Sequence, residues 1–258
     1  MTKLFSERLI ARLAEASWVT VLTGAGVSAE SGVPTFRGTD GLWSKFKPEE
    51  LASMSAFLRN PELVWKWYAH RKEVIARVKP NPGHDALVRL EQLVPHFALV
   101  TQNIDNLHRR AGSRTVYELH GNIERNYCLE CGAVFDNEAV LAKPGVPLCD
   151  HCGGKIRPDV VWFGEALPEE QWNYAVRAAS SSEVFLSIGT SALVYPAASL
   201  PQIARRNGAM LVEINPEPTP LTTQADEFLQ GQSGKILPAL VGAVEDARAA
   251  HRSLTSRL

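Results

Sequence analysis

The chain has 258 residues, 45% of them hydrophobic and 21% charged, with a formal net charge of -1. That balance suits a globular protein with a buried core, as one large domain or a domain plus a smaller module. Near-neutrality leaves no electrostatic footprint for nucleic acid or a membrane surface. Residues 1–16 carry charges throughout instead of a signal peptide's apolar core, and no apolar run reaches the roughly 18 residues of a membrane span. Cytoplasm is the expected location, and neither nucleic acid nor membrane is an expected partner.

In chain order, a helical pattern over Glu7 to Ala16 leads into an apolar run from Trp18 to Leu22. Similar runs cover Phe97 to Val100, Val184 to Ile188 and Met210 to Ile214. Nearly continuous apolar runs of this length read as parallel strands buried on both faces. Helical stretches lie between and after them, at His84 to Leu93, Glu169 to Ala179, Pro201 to Asn207 and Ile236 to Arg252. The alternation predicts an α/β fold, a Rossmann-like doubly wound parallel sheet. Two segments interrupt it. Residues 34–81 read as helical and aromatic, and residues 123–158 hold all four cysteines with little regular pattern. The predicted organisation is a Rossmann-like domain from residues 1–33, 82–122 and 159–258, beside a small domain formed by the helical insertion and a zinc-binding insertion.

The first strand runs into Thr23-Gly24-Ala25-Gly26-Val27-Ser28. Glycines at a strand-to-helix turn let backbone N–H groups approach a pyrophosphate. A G-x-G alone is also what a plain structural turn looks like. No strand ending in an acid follows about twenty residues later to hold a ribose, which disfavours an ordinary dehydrogenase.

The helix expected from Pro61 to Lys79 has Asn60 as N-cap and Pro61 in its first turn. On a helical wheel Val64, Trp67, Tyr68, Val74, Ile75 and Val78 share one stripe, and Lys66, Lys72, Glu73 and Arg77 point elsewhere. Arg71 falls near the centre of the apolar stripe, with Tyr68 its i−3 neighbour. A buried guanidinium needs an anion. That anion is either a protein carboxylate or a carboxylate on a substrate, held bidentately.

After the second strand comes Thr101-Gln102-Asn103-Ile104-Asp105-Asn106-Leu107-His108. Uncharged hydrogen-bonding groups at a strand end suit a sugar and a carboxamide, although Asn and Asp also cap turns routinely. His120 ends the short run Val116 to Leu119 and precedes Gly121. It is placed to serve as a general base near neutral pH or as a structural histidine.

The cysteines form two C-x-x-C knuckles, Cys128 with Cys131 and Cys149 with Cys152, seventeen residues apart. Two knuckles close a tetrahedral four-sulfur shell, the pattern of one structural Zn²⁺ with no open coordination position. Glycines follow each knuckle, where a tight reversal needs them. Disulfides or a redox pair are the competing uses.

Taken together, the glycine turn with Thr35-Phe36-Arg37, the Thr-Gln-Asn-Ile-Asp run, Leu119-His120-Gly121, the double C-x-x-C, Arg157 to Glu165 and Gly189-Thr190-Ser191 resemble the sirtuins. These are NAD-dependent protein-lysine deacylases, and the motifs occur in the family's order. The resemblance implies that Gly24, Ala25, Gly26 and Ser28 cradle the NAD pyrophosphate, with Arg37 reaching the cofactor and Phe36 covering the nicotinamide ribose. Gln102, Asn103 and Ile104 would hold the nicotinamide half, with Asn103 also counted as catalytic, and Asp105 would bind its carboxamide. Gly189, Thr190, Ser191, Asn215, Pro216 and Glu217 would hold the adenosine half, with a loop near Ser233 closing over adenine. His120 would be the general base: the acyl oxygen attacks the ribose C1′ as nicotinamide leaves, and water finally frees lysine and O-acyl-ADP-ribose. Val161, Phe163, Gly164 and Glu165 would form a strand edge on which an acylated-lysine protein adds as an extended strand. The Tyr68–Arg71 spacing resembles the pair that binds the acid end of succinyl and malonyl groups. Expected activities are therefore desuccinylation, demalonylation and some deacetylation. Mono-ADP-ribosyl transfer and a non-enzymatic zinc-ribbon interaction module are the alternatives.

Overall fold

The computed structural model describes residues 4–35 and 48–255. Helix α1 (Glu7–Glu15) starts where Ser6 accepts a hydrogen bond from Leu9 N–H, and leads into β1 (Trp18–Thr23). After α2 (Ala25–Ala29) come α3 (Pro48–Leu51), α4 (Met54–Arg59) and α5 (Pro61–Arg77). Asn60 caps α5 through Leu63 N–H with Pro61 in the first turn, as its sequence predicts. Helix α6 (Pro82–Leu93) opens on a capping box in which Asn81 and His84 exchange side-chain and backbone bonds. Strand β2 (His96–Thr101), α7 (Leu107–Ala111) and β3 (Val116–Glu118) follow. Then come β4 (Gly121–Cys128), β5 (Val134–Asp136), α8 (Asn137–Leu141) and β6 (Ile156–Val160). The chain continues with α9 (Glu169–Ser181), β7 (Val184–Ile188), α10 (Leu200–Arg206), β8 (Met210–Asn215), β9 (Glu227–Gln230) and α11 (Ser233–Thr255).

A six-stranded parallel sheet has the order β3-β2-β1-β7-β8-β9. The chain reverses its direction of travel across the sheet at β1, so the crevice beyond the ends of β1 and β7 is the topological switch point, where α/β sheets take ligands. Alternation along the strands fills two layers. Val19, Val21, Leu186, Val212 and Ile214 pack with α1, α6 and α11, and Leu22, Phe185 and Leu211 pack with α9 and α10. Strands β3 and β9 are the edges. β9 carries only two apolar residues, Phe228 and Leu229, too few for the apolar-run signal. No described helix is long and apolar enough to cross a membrane.

A second, antiparallel sheet has the order β5-β4-β6. With α4 and α5 it encloses its own core, including Phe57, Val64, Trp65, Ile75, Ile123, Ile156 and Trp162. Three expectations need correcting. Residues Val161 to Glu165 are a turn beyond β6, not a strand, with Gly164 at φ 88°. Ser233 begins α11 instead of lying in a loop, because Glu30 accepts from Gly234 N–H at 2.7 Å and from Ser233 Oγ at 3.0 Å and so caps the helix. Lys72 does not point away from the core of the small layer. It is buried, its Nζ donating to Ile123 O, Asn126 Oδ1 (2.9 Å) and Asn137 Oδ1 (2.6 Å). A wheel reads polarity as exposure, and here three oxygens of β4 and α8 satisfy the charge instead.

Candidate active site

The loops at the ends of β1, β2, β7 and β8 converge on one cavity of about 740 Å³, within the about 300–1,000 Å³ usual for small-molecule sites. The β1 turn packs directly on the β7 turn: Gly26 N–H donates to Gly189 O at 2.8 Å, and a Cβ on Gly26 would lie 2.7 Å from Gly189 Cα. Gly24, Ala25 and Gly26 line the cavity at the start of α2. Thr190 stitches three loops together. It accepts from Gln102 Nε2 at 3.1 Å through its hydroxyl and from Asn215 Nδ2 at 3.0 Å through its carbonyl. Glu213, buried in β8, accepts from Thr219 and Thr222 and holds the loop after Asn215, so Pro216 and Glu217 also face the cavity.

Asn103 lines the same cavity, its Nδ2 donating to Gly24 O at 3.0 Å and Ser28 Oγ at 3.2 Å. Ile104 lies beside it in the lining. Ser28 and Asp105 are buried beneath and are not among the described residues that line the cavity. Asp105 accepts from Leu107 N–H at 2.9 Å. Burial pushes its carboxyl up, opposed by bonds from Leu107 and Ser28 and by the charges of Arg71 and Arg110. Gln232 lines the cavity where Ser233 was expected, Ser233 being turned to Glu30. Phe36 and Arg37 lie outside the described residues.

His120 enters the cavity wall from the β3–β4 junction. Gly121 holds that junction at φ 78°, and a Cβ there would stand 2.2 Å from Asp159 O. His120 Nδ1–H donates to Gln102 O at 3.0 Å, so the neutral ring carries its proton there and leaves the Nε2 lone pair available. Burial lowers its pKa, with the Gln102 carbonyl opposing. A low-pKa imidazole with a free Nε2 is the neutral, proton-accepting form at physiological pH.

Beside His120 runs the Val161–Glu165 turn, in which Val161, Phe163, Gly164 and Glu165 all line the cavity. Val161 N–H donates to His120 O at 2.9 Å and Phe163 N–H to Ala52 O at 2.9 Å. The Glu165 carboxylate is engaged internally. Arg157, 1% exposed and stacked on Trp162, donates to both its oxygens at 2.5 and 2.9 Å. Tyr68 and Trp67 of α5 complete this wall. Tyr68 OH accepts from Trp162 Nε1 at 2.8 Å, and burial pushes its pKa to about 12. Arg71 is not among the described lining residues. It lies one turn on, with its guanidinium 5.1 Å over the Trp67 ring. Burial lowers its pKa, with Tyr68 and Asp105 favouring the charged form. Sequence reasoning missed Trp67 as a lining residue, along with Leu193 to Pro196 after the Gly189 turn. The latter segment has no periodic pattern that could have marked it.

Away from the cavity, all four cysteine Sγ atoms lie within 4.8 Å of one another. The Cys128–Cys152 and Cys131–Cys149 separations are 3.5 and 3.7 Å. Zn–S bonds of about 2.3 Å in a tetrahedron place sulfurs about 3.8 Å apart, so the set fits Zn²⁺. None of the four is in a disulfide. His151 N–H and Gly154 N–H each donate to a sulfur at 3.4 Å, as suits thiolates. Gly132 and Gly153 take the left-handed backbone (φ 71° and 75°) expected after the knuckles.

Comparison with known proteins agrees with this geometry. The Sir2 family matches residues 24–196. The NAD-dependent protein deacylase 2 of Pyrobaculum aerophilum is 53% identical over 94% of this chain and 97% of its own. The NAD-dependent protein deacylase 1 of Archaeoglobus fulgidus is 48% identical over 93% of this chain and 98% of its own. A Sir2 homologue solved as its NAD complex superposes with a TM-score of 0.89 at 48% identity, covering 95% of each chain. A Sir2 with a deacetylated p53 peptide and 3′-O-acetyl ADP-ribose superposes with a TM-score of 0.82 at 36% identity, covering 93% of this chain and 97% of its own. With a six-stranded Rossmann-like sheet, a cavity at its switch point and a four-cysteine cluster beside it, the chain belongs to the Sir2 family.

Proposed function

We propose that this protein is an NAD-dependent protein-lysine deacylase whose preferred acyl groups end in a carboxylate, succinyl and malonyl, with acetyl also accepted. Deacylase activity is supported by relatives of that name aligned along nearly the whole chain and by the fit of the switch-point cavity to a dinucleotide. Bound NAD would supply an electrophilic ribose carbon and nicotinamide as leaving group. Gly24, Ala25 and Gly26 would hold its pyrophosphate with backbone N–H groups, and Ser28 would brace that turn through Asn103. Gln102, Asn103 and Ile104 would hold the nicotinamide half, over the buried Asp105. Gly189 to Ser191 and Asn215 to Glu217 would hold the adenosine half. His120 Nε2 would take a proton from the ribose hydroxyls, allowing the 2′-oxygen to act on the transferred acyl group. The acyl-lysine would enter past the Val161–Glu165 turn, across the half-exposed Phe163.

The observation that carries the acyl preference is the placement of Tyr68 and Arg71 on the buried face of α5, directly behind the wall shared with His120. Tyr68 and Asp105 already favour the charged guanidinium against burial, and a carboxylate on the acyl chain would add to them. The test is a mass-spectrometric time course on one peptide in acetyl, succinyl and malonyl-lysine forms, with and without NAD. The expected result is NAD-dependent loss of succinyl or malonyl at a higher kcat/KM than acetyl. Loss of acetyl alone would return Arg71 to a structural role. A mass gain on the peptide without acyl loss would show ADP-ribosyl transfer instead.

A further inference from the structure

Beneath Asn103, two histidines that the chemistry above does not use meet in the interior. His84 of α6 and His108 of α7 are 0% and 2% exposed, with ring centroids 4.8 Å apart. Their tautomers follow from their partners. His84 Nδ1 accepts from Asn81 N–H at 3.3 Å, so its proton is on Nε2. Thr23 Oγ1 donates its one proton to Thr101 Oγ1 at 2.8 Å, and His108 Nε2 lies 2.9 Å from Thr23 Oγ1. His108 must therefore donate from Nε2, which leaves Nδ1 as an acceptor. Thr101 Oγ1 in turn accepts from Asn103 N–H at 3.0 Å. Bonds from His108 by way of Thr23 and from the Asn103 backbone converge on Thr101 Oγ1, which links His108 through β1 and β2 to the backbone of Asn103. Neither His84 Nε2 nor His108 Nδ1 has a hydrogen-bond partner among the described residues, and the two are complementary, a donor and an acceptor.

We propose that His108, kept neutral in one tautomer beside His84, is a positioning residue that sets Asn103 through Thr23 and Thr101. The proposal rests on the reading that Asn103 holds the nicotinamide ribose. The Asn103 amide has its own ties to Gly24 and Ser28. The relay adds the backbone anchor, fixing where the side chain starts. A small displacement there weakens alignment in the transition state more than ground-state binding of NAD, so it lowers kcat more than it raises KM. Protonated His108 would bring a buried positive charge beside the His84 ring. Burial and that neighbour hold its pKa well below the usual histidine value.

The experiment measures kcat and KM for NAD in nicotinamide release by His108→Met, His108→Gln, Thr101→Val and Asn103→Ala, with melting temperature as the folding control. Met keeps the bulk and removes the donor, whereas the Gln amide can donate to Thr23 from the place of Nε2. The expected result is a kcat loss of about tenfold or more in His108→Met with little change in KM, largely restored in His108→Gln. Thr101→Val should reproduce the loss, and His108→Met with Thr101→Val should lose no more than either alone. Full kcat in Thr101→Val overturns the relay even where His108→Met fails to fold, as do strictly additive losses or a Gln variant no better than Met. Full kcat in Asn103→Ala would instead remove the role of Asn103 on which the proposal rests. Loss in Asn103→Ala beside full kcat in Thr101→Val would leave that role intact and reject the relay alone.

Discussion

At the switch point of the parallel sheet, the turns that line the cavity occupy positions that the backbone ladder has already fixed. Gly24 N–H continues the β1–β7 register to Ile188 O, Gln102 N–H bonds Thr23 O, and Leu119 N–H bonds Thr101 O. The wall proposed to receive the acyl group is held differently. Helix α5 has no ladder and is tied to the small sheet by side chains: Trp65 Nε1 to Ile156 O at 2.8 Å, Lys72 to β4 and α8, and Tyr68 OH to Trp162. The sheet's partners are in turn gathered by four thiolates. A parallel ladder distributes its support over many equivalent bonds, whereas the small layer concentrates it in a few side chains and one metal. The first arrangement suits a cofactor common to every turnover, and the second suits a specificity that varies with a few residues.

The largest test of that contrast is zinc removal. Metal analysis should find about one zinc per chain, and chelation should unfold the small layer and abolish deacylation, because the site's binding energy is folding energy. A metal-free protein that stays folded and active would break the comparison. His120→Ala probes the other side. It should lower kcat by about 10²–10⁴-fold and leave NAD binding near its original strength, and unchanged turnover would remove His120 as the base.

Arg71→Met should reduce desuccinylation kcat/KM by about 10–100-fold, the worth of about 1.5–3 kcal/mol for a hydrogen bond to a charged group, and deacetylation far less. Equal losses would make Arg71 part of the fold. Lys72→Met should cost about 2–3 kcal/mol of stability by orphaning buried oxygens and raise the KM for acyl-peptide more than the KM for NAD. Burial pulls Lys72 to about 7, with Glu124 opposing, yet its three oxygen partners can engage all three N–H bonds of an ammonium. Lys72→Arg should therefore recover more than Lys72→Met. Equal effects on both KM values would dissolve the distinction between the two regions.

The smallest effect is on pH. Burial holds His84 at about 4 and His108 well below its usual value, against about 6.5 unfolded. The unfolded chain binds these protons first as pH falls. Stability from the neutral histidines is thus present above about pH 6.5 and is lost toward pH 4, on the order of 3 kcal/mol for His84. A melting temperature that stays flat from pH 7 to pH 4 in the native protein, and is no steeper than in His84→Gln, would contradict it. The acidic limb of kcat should also fall below pH 6.5, since burial lowers the His120 pKa.

Much of this was legible in one dimension. Period and polarity alone mark β1, β2, β7 and β8, because strands buried on both faces must be apolar throughout. The cysteine spacing states the zinc site outright, because four thiolates at two short intervals have few other uses in a chain with no further cysteine. The motif order gives the cofactor crevice, since each motif follows a strand whose end the parallel topology brings to one line. Only the tertiary structure decided the rest. Val161 to Glu165 reads as an extended run, but Gly164 and the Arg157–Glu165 pair turn it into the cavity wall. Lys72 and Arg71 share a helix, and no wheel separates a lysine met by three oxygens from an arginine laid over Trp67. Ser233 begins a helix because Glu30, about two hundred residues away in sequence, caps its first turn. Local sequence fixes which backbone elements form, but the partner of a buried polar group is chosen by distant segments, and that choice exists only once the chain has folded.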